Sequence, residues 1–235
     1  MHDVNHIIEK AVNLNHTVEV LSDIKSGKEA VVYRATLDGD LVAMKVYKKL
    51  EERNFKNTGV YSLGKYYRRP SERRSATKNS TFIKKLRHEN WVKREFFVLK
   101  KLFDSGASIP QPILQIDDAI FMELLGNKSM VAPRLCDVEL EKNEAKKAFD
   151  EVLRNVEIFW NAGIVHADLS EFNILWWKSH PHIIDFPQSI DCRTHPNPKE
   201  FLDRDLRNIV KYFGKYIDID LDEMESRFQY EMPFL

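Results

Sequence analysis

The segment from Ala30 to Tyr47 constrains the fold of this chain more than any other stretch. AVVYRATL (Ala30–Leu37) and LVAMKVY (Leu41–Tyr47) are rich in β-branched residues and flank Asp38-Gly39, so they predict an antiparallel hairpin with a two-residue turn. Thr17–Ile24 carries a similar β-like pattern, and Lys25-Ser26-Gly27-Lys28 supplies the turn that leads into the hairpin. Ahead of these strands, residues 3–14 predict a short helix with Ile7, Ile8, Ala11 and Val12 on one side.

Beyond the hairpin, residues 48–80 hold Arg, Lys, Asn, Ser and Tyr with no sustained period, the pattern of a long flexible basic loop. A helical pattern restarts at Thr81, runs through Trp91, Phe96, Leu99, Leu102 and Phe103, and stops near Gly106. Pro110 and Pro112 introduce two short strands, Ile113–Ile116 and Ala119–Glu123, separated by Asp117-Asp118. Lys142–Ala162 is a strong helix ended by Gly163. A loop over Ile164–Asn173 follows, then strands at Ile174–Trp177 and His182–Asp185. Closing helices are predicted at Pro196–Tyr216 and Asp220–Tyr230. The first half is β-rich and the second α-rich, with a hinge expected near Leu124–Gly126.

Composition narrows the class. With 235 residues, 43% hydrophobic and 11% aromatic, the chain supports one large domain or two small lobes and argues against global disorder. Cys136 and Cys192 stand 56 positions apart and form no CxxC, which excludes a disulfide scaffold or a zinc ribbon. No apolar run approaches the roughly 20 residues of a membrane span, and MHDVNHIIEK lacks a signal-peptide core, so a cytoplasmic location without membrane partners is expected. The net charge is zero, yet residues 45–101 hold 18 Lys and Arg against 5 Asp and Glu. A basic third beside an acidic remainder suits a polyanionic partner.

The most informative chemistry lies in His166-Ala167-Asp168-Leu169-Ser170-Glu171-Phe172-Asn173, followed by Ile183-Ile184-Asp185. The first run has the H-x-D-x-x-x-x-N form of a phosphotransferase catalytic loop. A hydroxyl or water attacking a γ-phosphate needs a carboxylate to orient it and accept its proton, the role open to Asp168. Magnesium prefers hard oxygen ligands, and the Asn173 amide oxygen and Asp185 carboxylate offer two. Each residue alone is more often an ordinary turn residue; their joint spacing is what carries the reading. Lys45, within Val42-Ala43-Met44-Lys45, stands where a strand lysine reaches the α/β-phosphates of ATP. Such a lysine needs a carboxylate to hold it. Glu95 on the following helix is preferred over Glu89, because it lies against the Phe96/Phe97 apolar stripe. In the first turn Gly27 lets the backbone approach a phosphate, and Ser26 and Lys28 can donate to it.

Ser26-Gly27-Lys28-Glu29-Ala30, His166–Asn173, Ile183-Ile184-Asp185, His195-Pro196 and Glu200-Phe201-Leu202-x-Arg204-Asp205 together resemble the RIO family of atypical serine/threonine protein kinases. Trp91–Leu102 and Gly126–Leu135 fit too, so the similarity runs over nearly the whole chain. Only about 16 residues precede the first strand, which suits the branch without an N-terminal winged helix. The resemblance implies an α+β, two-lobed protein-kinase-like fold, with a β-rich N-lobe over residues 1–125 and a shortened, mainly α C-lobe over 126–235. It also implies ATP and Mg2+ (Mn2+ as an alternative), Asp168 as base, and Asn173 and Asp185 as metal ligands. Asp185 is a further candidate for phosphorylation during turnover, and Glu123 and Leu125 for meeting the adenine through their backbone. Family members act in maturation of the small ribosomal subunit, which would make pre-ribosomal RNA or that subunit the partner of the basic 45–101 segment.

Three departures from ordinary protein kinases accompany the resemblance. Asp185 is followed by Phe186-Pro187 in place of Phe-Gly, Ala167 replaces the arginine that pairs with a phosphorylated loop, and no A-P-E segment follows. These departures weaken the case for a peptide as natural substrate. A kinase for small molecules of the aminoglycoside or choline type shares the catalytic loop, but the C-terminal half is short for its substrate pocket. An ATP-binding assembly scaffold with little transfer activity is the remaining alternative. Trp160, Trp176 and Trp177 are expected in the core, and His180 and His182 lack further ligands at zinc spacing.

Overall fold

The computed structural model describes residues 2–48, 81–127, 129–220, 224 and 228. Residues 49–80, with the RNA-contact candidates Lys65, Arg68, Arg69, Arg73 and Arg74 and the base-stacking candidates Tyr66 and Tyr67, lie outside it, as does most of the closing helix expected at Asp220–Tyr230. The chain divides into two compact units. One holds residues up to Phe97 together with Gln111–Val131, and the other holds Val98–Pro110 and everything from Ala132 onward.

The first unit contains α1 (His2–Asn13), β1 (Val18–Ser26), β2 (Ala30–Leu37), β3 (Asp40–Tyr47), the first part of α2 (Thr81–Asp104), β4 (Pro112–Ile116) and β5 (Ala119–Glu123). The strands form one antiparallel sheet in the order β1-β2-β3-β5-β4. Asp38 and Gly39 turn β2 into β3 with φ of +54° and +91°, the backbone a two-residue hairpin requires. Strand alternation then splits the buried β3 into two faces. Val42, Met44 and Val46 point to a core that includes Ala35, Ile116 and Phe121, covered by Ile7 and Ala11 of α1. Burying a side chain of the size of Ile7 contributes about 2 kcal/mol. The buried stripe of α1 is narrower than its sequence suggests. Ile7 and Ala11, one turn apart, face the sheet, Ile8 is half-buried and Val12 is exposed.

The second unit contains the last part of α2, then α3 (Lys142–Asn161), β6 (Ile164–Val165), β7 (Ile174–Trp177), β8 (His180–Ile183), β9 (Ile190–Asp191) and α4 (Pro198–Phe213). α3 begins with a reciprocal capping box between Glu141 and Glu144, and α4 begins with Pro198, whose missing N–H costs nothing there. Two antiparallel ribbons, β6·β9 and β7·β8, lie between these helices in the chain. The core is aromatic: Phe149 meets Phe213 edge-on at 5.5 Å and Phe159 meets Phe186 at 5.4 Å. Trp160 is buried in it, whereas Trp176 and Trp177 are only half-buried.

The strand expected at His182–Asp185 runs instead from His180 to Ile183. Lys178 and Ser179 both adopt positive φ, +50° and +62°, and so make a two-residue turn that pairs Trp177 with His180. That turn fixes the register two residues earlier and leaves Asp185 beyond the strand end. Neither Lys nor Ser is a usual residue at positive φ, so the turn carries no sequence mark. The helix expected at Pro196–Tyr216 is trimmed to Pro198–Phe213. Among the described residues, no helix is long and apolar enough to cross a membrane.

Candidate active site

In the first unit, β3 and α2 bring a cation and its counter-ion together in a nearly dry setting. Lys45 is 8% exposed and Glu95 2% exposed, and Lys45 Nζ donates to Glu95 Oε1 at 2.9 Å. At this burial a charge needs a partner, and removing one member of such a pair is strongly destabilising. Glu95 was expected beside a Phe96/Phe97 stripe, but Phe97 is largely exposed and Phe96 half-buried. Consecutive helix residues diverge by about 100°, so Glu95 shares its face with Trp91, one turn earlier.

The turn between β1 and β2 is tied down from the end of β3. Gly27 N–H donates to Ala30 O at 2.9 Å, closing the turn. Lys48 then reaches back twice, with its backbone N–H to Glu29 O at 2.9 Å and its Nζ to Gly27 O at 2.8 Å. Ser26 and Lys28 are exposed on either side of Gly27. Glu123 ends β5 with its N–H on the Gln111 carbonyl at 2.8 Å, and Leu125 follows as a buried residue.

In the second unit the loop from His166 to Asn173 is irregular except for a 3₁₀ turn at Glu171–Asn173. Ala167 adopts φ +64° and is fully buried, a conformation that an L-residue holds only when its surroundings enforce it. Those surroundings come from α4. Asp205 accepts the N–H of Ala167 at 2.7 Å on one oxygen and that of Leu169 at 3.1 Å on the other. Arg204 donates to the Ala167 carbonyl, and Asn208 Nδ2 donates to the Leu169 carbonyl at 3.0 Å. Both peptide groups flanking Asp168 are thereby fixed.

His166 links the loop at Asp168, the candidate base, to the segment that carries Asp185, the candidate metal ligand. Its Nδ1 accepts the Asp168 N–H at 3.3 Å, which makes Nε2 the protonated nitrogen that donates to Ile184 O at 3.0 Å. Ile184 is held from its other side too, its N–H donating to Asn173 O at 2.9 Å. Asp185 follows at φ +73°, and Phe186 behind it is buried with its ring 4.6 Å from the His166 ring. Asn173 Nδ2 donates to Asp168 O at 2.8 Å and lies 3.5 Å from Asp168 Oδ2. That leaves its Oδ1 as the arm available to a cation.

The second unit therefore gathers Asp168, Asn173 and Asp185, and the first gathers Lys45 and Glu95. The Asp168 carboxyl opens to solvent but is pushed above the usual carboxylate range, first by partial withdrawal from water and second by the charge of Asp185. Two repelling carboxylates beside an amide oxygen form a hard-oxygen donor set, and a divalent cation there would relieve the repulsion; Mg2+ fits these residues. Burial also raises Asp205, to about 7, against the lowering effect of its two N–H donors and Arg204. His180 pairs with Glu151 at 3.0 Å, and no group of three or more His, Cys, Asp or Glu suited to a metal occurs among the described residues.

Arg204, Asp205 and Asn208 were not singled out as functional from sequence, although Arg204-Asp205 belongs to a motif that carries the resemblance. An Arg-Asp pair on a helix is ordinarily solvated. Only the apolar pattern around it, with Leu202, Leu206 and Ile209 buried, puts Asp205 on the inner face.

A five-stranded antiparallel sheet with a helix-borne glutamate on its strand lysine, and a mainly helical unit with an H-x-D-x-x-x-x-N loop, make this an α+β protein-kinase-like fold in two lobes. Within that class, residues 31–225 match the RIO domain, and the chain belongs to the RIO domain family. It is 34% identical over 213 residues to the serine/threonine-protein kinase rio1 of Schizosaccharomyces pombe, covering 89% of this chain and 41% of that protein. It is 30% identical over 212 residues to human serine/threonine-protein kinase RIO1, covering 89% of this chain and 36% of the relative. The chain thus spans about two fifths of the length of these curated relatives. Among solved structures, the Rio2 kinase-ADP/Mg2+-phosphoaspartate complex from Chaetomium thermophilum is similar in fold, with a TM-score of 0.66 at 21% identity over 96% of this chain and 66% of that one.

Proposed function

We propose that the chain is an MgATP-dependent phosphotransferase, an atypical serine/threonine kinase that also hydrolyses ATP through its own aspartate. The observation that carries this reading is the second unit's triad. Asp168 and Asp185 lie close enough for one charge to shift the other, and Asn173 is locked onto Asp168. The names of the relatives as serine/threonine-protein kinases, and the ADP, Mg2+ and phosphoaspartate of the similar structure, support it. Asp168 takes the proton of an attacking hydroxyl, and its raised pKa brings it nearer to the working pH of a base. Asn173 Oδ1 and Asp185 would hold Mg2+, or Mn2+ as an alternative, and the ion would supply neutralisation of phosphoryl charge. Lys45 holds the α- and β-phosphates, the Ser26-Gly27-Lys28 turn lies along the phosphates, and the backbone at Glu123 and Leu125 meets the adenine.

For hydrolysis, an Asp185 carboxylate oxygen attacks the γ-phosphorus, the bond to the bridging oxygen breaks, and ADP leaves with that electron pair. Water then cleaves the acyl phosphate and regenerates the carboxylate. The basic 45–101 segment contacts pre-ribosomal RNA in the small subunit, in the cytoplasm, and turnover governs release.

Incubation with γ-labelled MgATP followed by hydroxylamine tests the reading. Label that hydroxylamine removes, and that Asp185→Asn never acquires, identifies the acyl phosphate. Asp168→Asn should lower transfer to an added protein by at least about a hundredfold. Transfer at the wild-type rate in Asp168→Asn would remove the mechanism.

A further inference from the structure

Tyr47 stands two residues after Lys45 on β3, and so projects from the same face of the strand. Trp91 and Glu95 stand one turn apart on α2 and meet that face. The four side chains form a cluster. Lys45 Nζ donates to Glu95 Oε1 at 2.9 Å, and the Tyr47 hydroxyl donates to Glu95 Oε2. The Tyr47 ring meets Trp91 edge-on, with centroids 5.0 Å apart and planes at 82°, and lies 5.2 Å from Lys45 Nζ. Its backbone is fixed as well, since the Tyr47 N–H donates to Asp118 O at 2.8 Å and the residue pairs with Ala30 across the sheet.

A carboxylate as buried as Glu95 has two oxygens to satisfy and little water to do it with. A single bond from Lys45 would set a distance but leave the carboxylate free to rotate about its terminal torsion, which is broad for glutamate. A donor on the second oxygen removes that freedom. The Tyr47 donor rests on the sheet itself, held at its backbone by the ladder and at its ring by Trp91.

We propose that Tyr47 is a positioning residue for the lysine–glutamate pair: its hydroxyl locks Glu95 from the second side and so fixes the direction in which Glu95 holds Lys45. Aiming Lys45 at phosphates rests on the phosphotransferase reading; the lock itself does not.

The test uses the nucleotide-free full chain. Lys45 is acylated with an amine-reactive ester, and the rate is followed by mass spectrometry in wild type, Tyr47→Phe, Glu95→Gln and the double variant. Tyr47→Phe keeps the ring and its contact with Trp91 and removes only the hydroxyl. The expected result is a rise in the Lys45 rate of about ten-fold in Tyr47→Phe, with no further rise when the same change is added to Glu95→Gln. Equal rates in wild type and Tyr47→Phe would overturn the lock. So would a full additional rise in the Glu95→Gln background, because Tyr47 would then act by another route. In steady-state MgATP turnover the KM for ATP should rise by about the same factor, with kcat changed less. A wild-type protein that consumes no MgATP would sink the phosphotransferase reading, while the acylation rates would still decide the role of Tyr47.

Discussion

Lys45, Glu95 and Tyr47 in the first unit hold one another side chain to side chain, whereas around Asp168 in the second unit the holding is done on the backbone, by Asp205, Arg204 and Asn208. The difference follows from what each set is mounted on. Lys45 and Glu95 sit on a central strand and a helix, whose main chains are already fixed by regular hydrogen bonds; only the direction of the side chain remains to be set. Asp168 sits on an irregular loop with a left-handed residue before it, so the loop must borrow its rigidity from a neighbouring helix. Polar side chains near reactive positions thus do two jobs here, and the residue's mounting tells which one it does.

Removing one member of the buried ion pair should produce the largest loss. Lys45→Met leaves Glu95 charged and buried, and should cost about 4 kcal/mol by urea denaturation. Lys45→Met combined with Glu95→Leu should recover much of it, and equal losses in the single and double variants would show that the pair is not what holds this region. Removing the backbone anchor comes next. Asp205→Ala strands two buried N–H groups and should cost about 3 kcal/mol, with MgATP turnover falling further than in any surface variant. Wild-type turnover in that variant would mean that the loop holds itself. The smallest effect is expected where a side chain reaches a half-exposed turn. Lys48→Met should cost about 1 kcal/mol and raise the KM for ATP, with kcat unchanged. A kcat effect would place Lys48 in the chemistry instead.

The two regions should also separate by pH. Asp205 is raised from 3.8 to about 7, so between those values the folded chain keeps a proton there that the unfolded chain has lost. The stability linked to Asp205 is therefore full below about pH 4 and falls as pH climbs to about 7. The upward shift of Asp168 adds to the fall. Thermal melts across that range should show the decline in wild type and a flatter profile in Asp205→Asn. An unchanged slope would mean that the titrating groups lie elsewhere.

How far the sequence discloses these features depends on how local they are. The β2–β3 hairpin follows from adjacent residues, because Asp38-Gly39 is a turn that few other structures accept. Glu95 is bonded to Lys45 as its sequence position suggests, but not through the adjacent phenylalanines. The face of α2 is set by Trp91, a turn away, and not by the adjacent phenylalanines. The place of Asp185 after Ile183-Ile184 could be read from the sequence, whereas the bracketing of Ile184 by His166 and Asn173 could not. The anchoring of Ala167 and Leu169 was hidden for two reasons. Its donors and acceptors are 36 to 39 residues away in the chain, and alanine at positive φ carries no mark that glycine would have given. β6 and β9, two residues each, are too short to show any period.

The pairing of β3 with β5 has a consequence for the order in which the first unit forms. β1, β2 and β3 join through neighbouring turns, and β4 and β5 through another, so each group can close quickly by itself. Their union across β3 and β5 must wait until the 71 residues between Tyr47 and Ala119 have been made and gathered in. Chain-closure entropy grows only with the logarithm of that separation, so inserting a few residues between β3 and α2 should shift the final stability little. On a ribosome the lysine strand is therefore complete well before its second neighbour exists. During that interval one edge of β3 is open to the solvent and to any other strand that reaches it.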